Sequence, residues 1–228
     1  MQNITKLRLS MLKTYLTGCD LNTEWQLPWF ITNLRQHTDY HLLIADFGMT
    51  EEVLESLEHL ENVRVFKVVS QAQGWFKKPR AMLDASQMGF GKVCWLDTDC
   101  EVTNDSIDTI FNWTEQGKLS MAIDRPWTKR RGVLGNWHNT GVVVFEGSPN
   151  ILRQWALECI ENPDVGDQET LYKMVGGNEI MRLALIRDLP TKFNTLRLDY
   201  IDGIAGKNPC VIHHTGKKGK EIIKEKIG

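Results

Sequence analysis

The sequence predicts an α/β protein built on a doubly wound sheet, and three observations carry that expectation. Short apolar runs alternate with amphipathic stretches through the first hundred residues in a β-α-β-α-β-α-β rhythm, the pattern of parallel strands joined by crossover helices. Two of the runs, LLIAD at 42–46 and VCWL at 93–96, are continuously apolar, which suits strands covered on both faces. The chain has 228 residues, of which 42% are hydrophobic and 25% charged, enough to close a sizeable core without disulfides or a structural metal.

Taken in order, Lys6–Leu16 reads as a first strand, with a turn at Gly18. Asn22 or Thr23 is placed to cap a helix over Glu24–Arg35, with Pro28 tolerated in its first turn. His41–Asp46 is a buried strand. Thr50 followed by Glu51 and Glu52 opens a helix, since acids favour the positive end of the helix dipole. Val63–Val69 is a third strand, Pro79 stands near the start of a helix over Lys78–Met88, and Lys92–Leu96 is a fourth strand. The second half is less regular. Ser120–Ile123 and Val142–Phe145 read as strands separated by a loop, DRPWTKRRGVLGNWHN. Ser148-Pro149 opens a helix to Glu161, and Asp167 is placed to cap another through Met174. Ala184–Arg187 and Cys210–His213 are short strands, and GKKGKEIIKEKIG is a basic amphipathic helix. No linker divides the chain, so the expectation is one domain over 1–228, with 1–100 as its nucleotide-binding half and 101–228 as its acceptor half.

Composition narrows the function. Lys and Arg number 27 against 29 Asp and Glu, a net charge of −2, which gives no general grip on nucleic acid. The five cysteines are scattered without a CxxC pair, arguing against a zinc knuckle or a redox dithiol and for reduced thiols in the cytoplasm. No apolar run reaches the ~18–20 residues of a membrane span. The Lys-rich tail allows at most peripheral contact with the inner face of a membrane.

Ligands of doubly wound sheets sit beyond the carboxyl ends of the strands. The fourth strand ends there in Asp97-Thr98-Asp99. Residues i and i+2 of an extended segment point the same way, so both carboxylates can face one hard cation such as Mg²⁺ or Mn²⁺. Asn139-Thr140-Gly141 precedes the run VVVF. Its amide suits sugar hydroxyls, and Gly141 permits close backbone approach. Gly166-Asp167-Gln168 joins a carboxylate to an amide. In Val211-Ile212-His213-His214-Thr215-Gly216-Lys217-Lys218, an imidazole at a strand end can complete a metal shell, and the Gly and Lys residues after it can hold a diphosphate. Trp127 and Trp137 flank Arg130 and Arg131. Their rings suit either sugar stacking or packing of the loop, and the arginines suit an anionic acceptor.

The order of CWLDTDCEV, MAID, NTGVVVF, GDQETL, PTKFN and VIHHTGKKGK resembles the GT-A nucleotide-sugar glycosyltransferases, and within them glycosyltransferase family 8. The likeness covers about Lys77 to Lys220. It implies a GT-A fold, a single doubly wound mixed sheet flanked by helices. It implies a metal-dependent hexosyltransferase that moves a sugar from a nucleotide-diphosphate donor, UDP-hexose being favoured, to a hydroxyl of a carbohydrate or glycolipid, with retention. Asp97, Asp99 and His213 would hold Mn²⁺, or Mg²⁺, as cofactor. Lys78 and Arg80 would face the donor, together with Thr98, Thr140 and Gly141. Asp124 and Asn139 would meet the donor sugar. Asp167 and Gln168 would lie at the reacting carbon, and Gly216 with Lys217 or Lys218 at the leaving diphosphate. Trp127, Arg130 and Trp137 would meet the acceptor. Family 8 usually continues H-x-x-G-x-x-K-P-W. Here Gly219 stands where that lysine belongs, so Lys217, Lys218 or Lys220 must take its place.

Two other readings compete. A sugar nucleotidyltransferase would also place acids at a strand end, but Gly18-Cys19-Asp20 is a poor triphosphate loop. A non-catalytic nucleotide- or carbohydrate-binding module has no need of the three ligands.

Overall fold

The computed structural model describes residues 12–132, 135–175 and 177–228. The first strand begins later than its pattern predicts. The stretch before residue 12 lies outside the described residues, and β1 runs Lys13–Cys19. Gly18 is therefore inside the strand instead of in a turn. A Cβ there would meet Phe47 at 2.8 Å and Ala45 at 2.9 Å, so the glycine admits the neighbouring segment. A 3-10 turn at Glu24–Gln26 leads into α1 (Leu27–Arg35). Neither Asn22 nor Thr23 caps it; the Thr23 hydroxyl donates to Asp20 Oδ1 at 3.0 Å instead. Pro28, lacking an N–H, lies in the first turn of α1, where no backbone donor is missed.

β2 (His41–Asp46) follows, then α2 (Glu51–Glu58), whose N-cap Thr50 accepts from Val53 N. Next come β3 (Val63–Lys67), α3 (Lys78–Ser86) and β4 (Lys92–Leu96). β5 (Cys100–Val102) was not expected, and it leads through β6 (Leu119–Ile123) to α4 (Arg125–Arg131). The Trp- and Arg-rich loop is thus half helix. Asp124 caps it by accepting from Trp127 N at 2.9 Å, Pro126 sits in its first turn, and Gly132 ends it at φ 57°.

β7 (His138–Glu146) is the longest strand among the described residues and is buried from His138 through Phe145. α5 (Asn150–Glu161), α6 (Asp167–Val175) and α7 (Glu179–Leu185) precede β8 (Ile186–Asp188), β9 (Thr195–Leu196), α8 (Arg197–Ile201), β10 (Val211–His213) and α9 (Gly216–Ile227). Residues 184 and 185, expected in a strand, close α7. Asp167 is the first residue of α6 and not its cap.

The main sheet has the order β3-β2-β1-β4-β7-β6-β8. β3, β2, β1 and β4 are parallel, β7 runs antiparallel to both β4 and β6, and β8 is parallel to β6. A second, three-stranded sheet pairs β10 with β5 and β9, which the apolar pattern did not reveal. Alternate residues of the central strands enter separate cores on the two faces of the main sheet. Tyr15, Cys94 and Val142 pack on one side, and Leu16, Val93, Trp95 and Val143 on the other, with Phe145 and Trp155. Because β7 is antiparallel, its first residues lie at the same edge as the last residues of β1 and β4. That edge carries the DxD, N-T-G and β10 residues together. No helix among the described residues is long and apolar enough to cross a membrane.

Candidate active site

A cleft lies along this edge, lined by Gly18 and Asp20 at one end, Asp97, Asp99 and His213 in the middle, and Asn139, Asp167 and Gln168 at the other. The Asp97 and Asp99 carboxylates both approach His213, through a tight turn and not an extended segment. Cys100 N donates to Asp97 O at 3.0 Å, and Asp97 N is held by Gly141 O at 2.8 Å. Thr98 points to the side, donating to Gln26 Oε1 at 3.1 Å.

His213 completes the group. Its Nε2 lies 3.0 Å from Asp99 Oδ1 and 3.8 Å from Asp97 Oδ2. Its Nδ1 stands 3.2 Å from Asn139 Oδ1 and 3.1 Å from Asn194 Oδ1. Amide oxygens only accept, so Nδ1 carries the proton that bonds them, and the imidazole is oriented with Nε2 toward the carboxylates. Gly141 makes this possible. A Cβ there would overlap the His213 ring, so the close approach is to the histidine and not to a ligand.

Burial alone pushes Asp99 up, but His213 beside it outweighs that, with Lys78 and Lys220 helping, and holds it below the usual carboxylate range. Burial alone pushes His213 down, and the Asp99 and Asp97 carboxylates together bring it above the ordinary histidine value. Two carboxylates and one oriented imidazole are hard-to-borderline donors that fit a divalent cation such as Mn²⁺. Cys100 is close enough to join Asp99 and His213 in one ligand group. Burial pushes its thiol well up, and Sγ lies 3.7 Å from Gly141 O as a donor.

Lys78 is the central cation. It is 4% exposed, with Nζ 2.9 Å from Asp97 Oδ1 and 3.2 Å from Asp167 Oδ2. Burial lowers its pKa, yet the Asp167 and Asp97 charges raise it above the ordinary lysine value, so it stays charged. Asp97 Oδ1 also accepts from Trp95 Nε1 at 2.6 Å, and Asp167 Oδ2 from the Thr140 hydroxyl at 2.8 Å. The network continues without a break. Gln168 Oε1 accepts from Asn139 Nδ2 at 3.1 Å and Thr140 N at 3.3 Å, and Gln168 Nε2 donates to Asp124 Oδ2 at 3.0 Å. Asp124 Oδ2 also accepts from Asn139 Nδ2 at 3.1 Å, so Asp124 both caps α4 and fixes the two amides.

Four expected residues lie elsewhere. Arg80 is two residues from Lys78 and so on another face of α3, where its Nε bonds Asp84 Oδ1 at 2.8 Å. Lys217 and Lys218 are exposed and do not line the cleft; Lys220, one turn beyond Gly216, does. Gly219 cannot be the family's lysine, because a Cβ there would run into the His214 carbonyl on which α9 packs. Arg130 pairs with Asp202 at 2.7 Å, and the exposed Arg131 borders the neighbouring hollow.

Trp127 and Trp137 border the neighbouring hollow, each packed against its neighbours. Trp137 is 4% exposed and stacked on Tyr172 with centroids 4.4 Å apart, while the Arg131 guanidinium covers Trp127 at 4.7 Å and lies 5.9 Å from the Trp137 centroid. Sequence reasoning missed Gln26, Trp75 and Asn194. Asn194 lies in PTKFN and ties Asn139 to His213, donating to Asn139 Oδ1 at 2.9 Å. Trp75 is 60% exposed at the cleft wall beside Asp20, an unusual position for so large an apolar ring.

With this geometry in view, comparison with known proteins is informative at the level of fold. No protein-family model matches the sequence, and no curated protein matches it. Solved structures do. The galactosyltransferase LgtC, in complex with donor and acceptor sugar analogs, superposes with a TM-score of 0.62 at 15% identity, over 93% of this chain and 94% of that one. A glycosyltransferase involved in glycosylation of the major capsid of PBCV-1 gives 0.61 at 15% identity over 94% and 98%. GlyE of Streptococcus pneumoniae TIGR4 gives 0.63 at 16% identity over 90% of this chain and 55% of that one. The chain has the fold of the GT-A glycosyltransferases.

Proposed function

We propose that the protein is a metal-dependent glycosyltransferase that moves a hexosyl group from a nucleoside-diphosphate sugar, UDP-hexose first among them, to a hydroxyl of a carbohydrate or glycolipid acceptor with retention of configuration. The observation that carries this reading is the convergence of Asp97, Asp99 and an Nε2-directed His213 midway along a cleft at the strand edge. Mn²⁺ or Mg²⁺ held by these three would supply charge that neutralises the departing diphosphate.

The chain's own residues do the rest. Lys220, on the first turns of α9, brings a cation to the leaving-group side of the cleft. Lys78 holds Asp97 and Asp167 apart in fixed positions. Asp167 spends Oδ2 on Thr140 and Lys78, which leaves Oδ1 to meet developing positive charge on the sugar. Gln168 and Asn139, locked by Asp124, form the wall against which the sugar hydroxyls settle. At the opposite end, Trp75 offers a ring face, and Asp20 an acceptor, to the nucleoside base.

The test is release of free UDP from a panel of UDP-hexoses, with Mn²⁺ and with EDTA. One donor should turn over slowly with metal only, and Asp97→Asn or Asp99→Asn should lower the rate by roughly 10²–10³. Absence of both turnover and metal-dependent nucleotide binding refutes the proposal.

A further inference from the structure

Gln168, Asn139, Thr215 and Gly216 line a second hollow on their far side, continuous with the cleft and bounded by Trp137, Arg131, Glu169 and Arg197. A hydrogen-bond account of this hollow is lopsided. The acceptors it shares with the cleft are already engaged: Asp124 takes Trp127 N, Asn139 Nδ2 and Gln168 Nε2, and Gln168 Oε1 takes Asn139 and Thr140. Glu169 is neutralised by Lys173 at 3.4 Å and Arg131 at 3.9 Å.

The donors are not spent. Arg197 uses Nε on Thr215 O at 3.1 Å and, among the described residues, nothing else. Arg131 lies over two indole rings, and Glu169, which it shares with Lys173, stands 3.9 Å away, beyond hydrogen-bond distance. Arginine only donates, so the group that satisfies Arg197 and Arg131 accepts hydrogen bonds and is favoured by negative charge. Beside Arg197 and Arg131, a carboxylate or phosphate would gain charge-assisted hydrogen bonds that a neutral hydroxyl would not.

Resting on the transferase reading above, we infer that the hollow takes an acidic acceptor sugar, whose carboxylate or phosphate is bound by Arg197 with Arg131. The full chain, saturated with UDP and Mg²⁺ (diamagnetic, unlike Mn²⁺), is titrated with methyl β-D-glucuronide, glucose 6-phosphate and methyl β-D-glucoside, and binding is followed by ligand-observed NMR. One of the two acids should bind at least tenfold more tightly than the neutral glucoside, and which one does identifies the charged group. Arg197→Gln should weaken the acid by about 10–100-fold, the worth of a charge-assisted bond, and Arg131→Gln should weaken it in the same direction. Arg197→Lys should recover part of the loss.

Equal binding of acid and neutral sugar, no binding of either acid, or an Arg197→Gln effect confined to UDP affinity each overturns the inference. The last of these would place Arg197 on the donor diphosphate. UDP that fails to bind the unmodified chain overturns the transferase reading and this inference with it, whereas UDP binding without acid preference overturns this one alone.

Discussion

Replacing Gly141 by Ala adds one carbon at the one place where the backbone of β7 meets the ring of His213. The residue has an ordinary backbone conformation, so the substitution brings no backbone strain, only volume. The new Cβ would overlap the near side of the ring, and even the far nitrogen Nε2 would lie 2.9 Å away. Ordinary contact for such a carbon begins near 3.4 Å. His213 is 4% exposed and wedged against Asn139 and Asn194, so the ring has to shift by roughly 1 Å or more against a close-packed wall. Nε2 now stands 3.0 Å from Asp99, and such a shift takes it outside the geometry that lets both residues address one ion.

The expected outcome is a 10–100-fold loss of Mn²⁺ affinity, the usual cost of disturbing a ligand's support, together with about 1–3 kcal/mol of overpacking. Titration of Mn²⁺ by electron paramagnetic resonance measures the first, and urea denaturation the second. Gly206→Ala is the control, because its Cβ would meet nothing within 4 Å. Wild-type Mn²⁺ affinity in Gly141→Ala refutes the assignment of His213 as a ligand held in place by this glycine.

Three further predictions follow from the same geometry. Lys78→Met leaves Asp97 and Asp167 facing each other without the cation that now sits within 3.2 Å of both, and should cost about 3–5 kcal/mol in urea denaturation at neutral pH; a loss under ~1 kcal/mol contradicts the role given to the lysine. Trp75→Ala should weaken UDP binding by about 5–100-fold, with Trp75→Phe milder, and should remove the part of the fluorescence change on UDP addition due to this exposed indole; unchanged affinity places the base elsewhere. Asp188 is held below the usual carboxylate range chiefly by its 2.7 Å hydrogen bond from His138, with Arg182 at 2.8 Å beside it. A depressed folded-state pKa means stability present above about pH 3.9 and lost as pH falls through the lower folded value. Asp188→Asn should therefore flatten the acid limb of the Tm profile below about pH 4, by under ~1 kcal/mol since the side chain is 45% exposed, and an unchanged limb contradicts the pairing.

What the sequence by itself determined is whatever short-range pattern encodes. Leu42–Asp46 and Val93–Leu96 are continuous apolar runs, so both were legible as buried strands, and the acids directly after the second run had to stand at a sheet edge. Thr50 was legible as a cap because its hydroxyl and the backbone it serves lie within four residues. The Asp124 cap and Pro126 before TKRR carried the same kind of signal, which the density of Trp, Arg and Gly around it obscured.

What only the tertiary structure decided is phase and partnership. Lys78 and Arg80, or Lys220 and Lys217, differ only in the angle at which they leave a helix, and that angle has meaning only once the helix is docked on the sheet. Gln26 and Trp75 belong to no motif, and PTKFN does not say what Asn194 bonds, since each reaches the cleft from a distant segment: Gln26 meets Thr98 across 72 positions and Asn194 meets Asn139 across 55. Cys100–Val102 is too short to announce itself as a strand, and it pairs only because β10 arrives from the far end of the chain. Local pattern sets which faces are apolar and where strands end, but hydrogen bonds between remote side chains depend on packing that no window of the sequence contains.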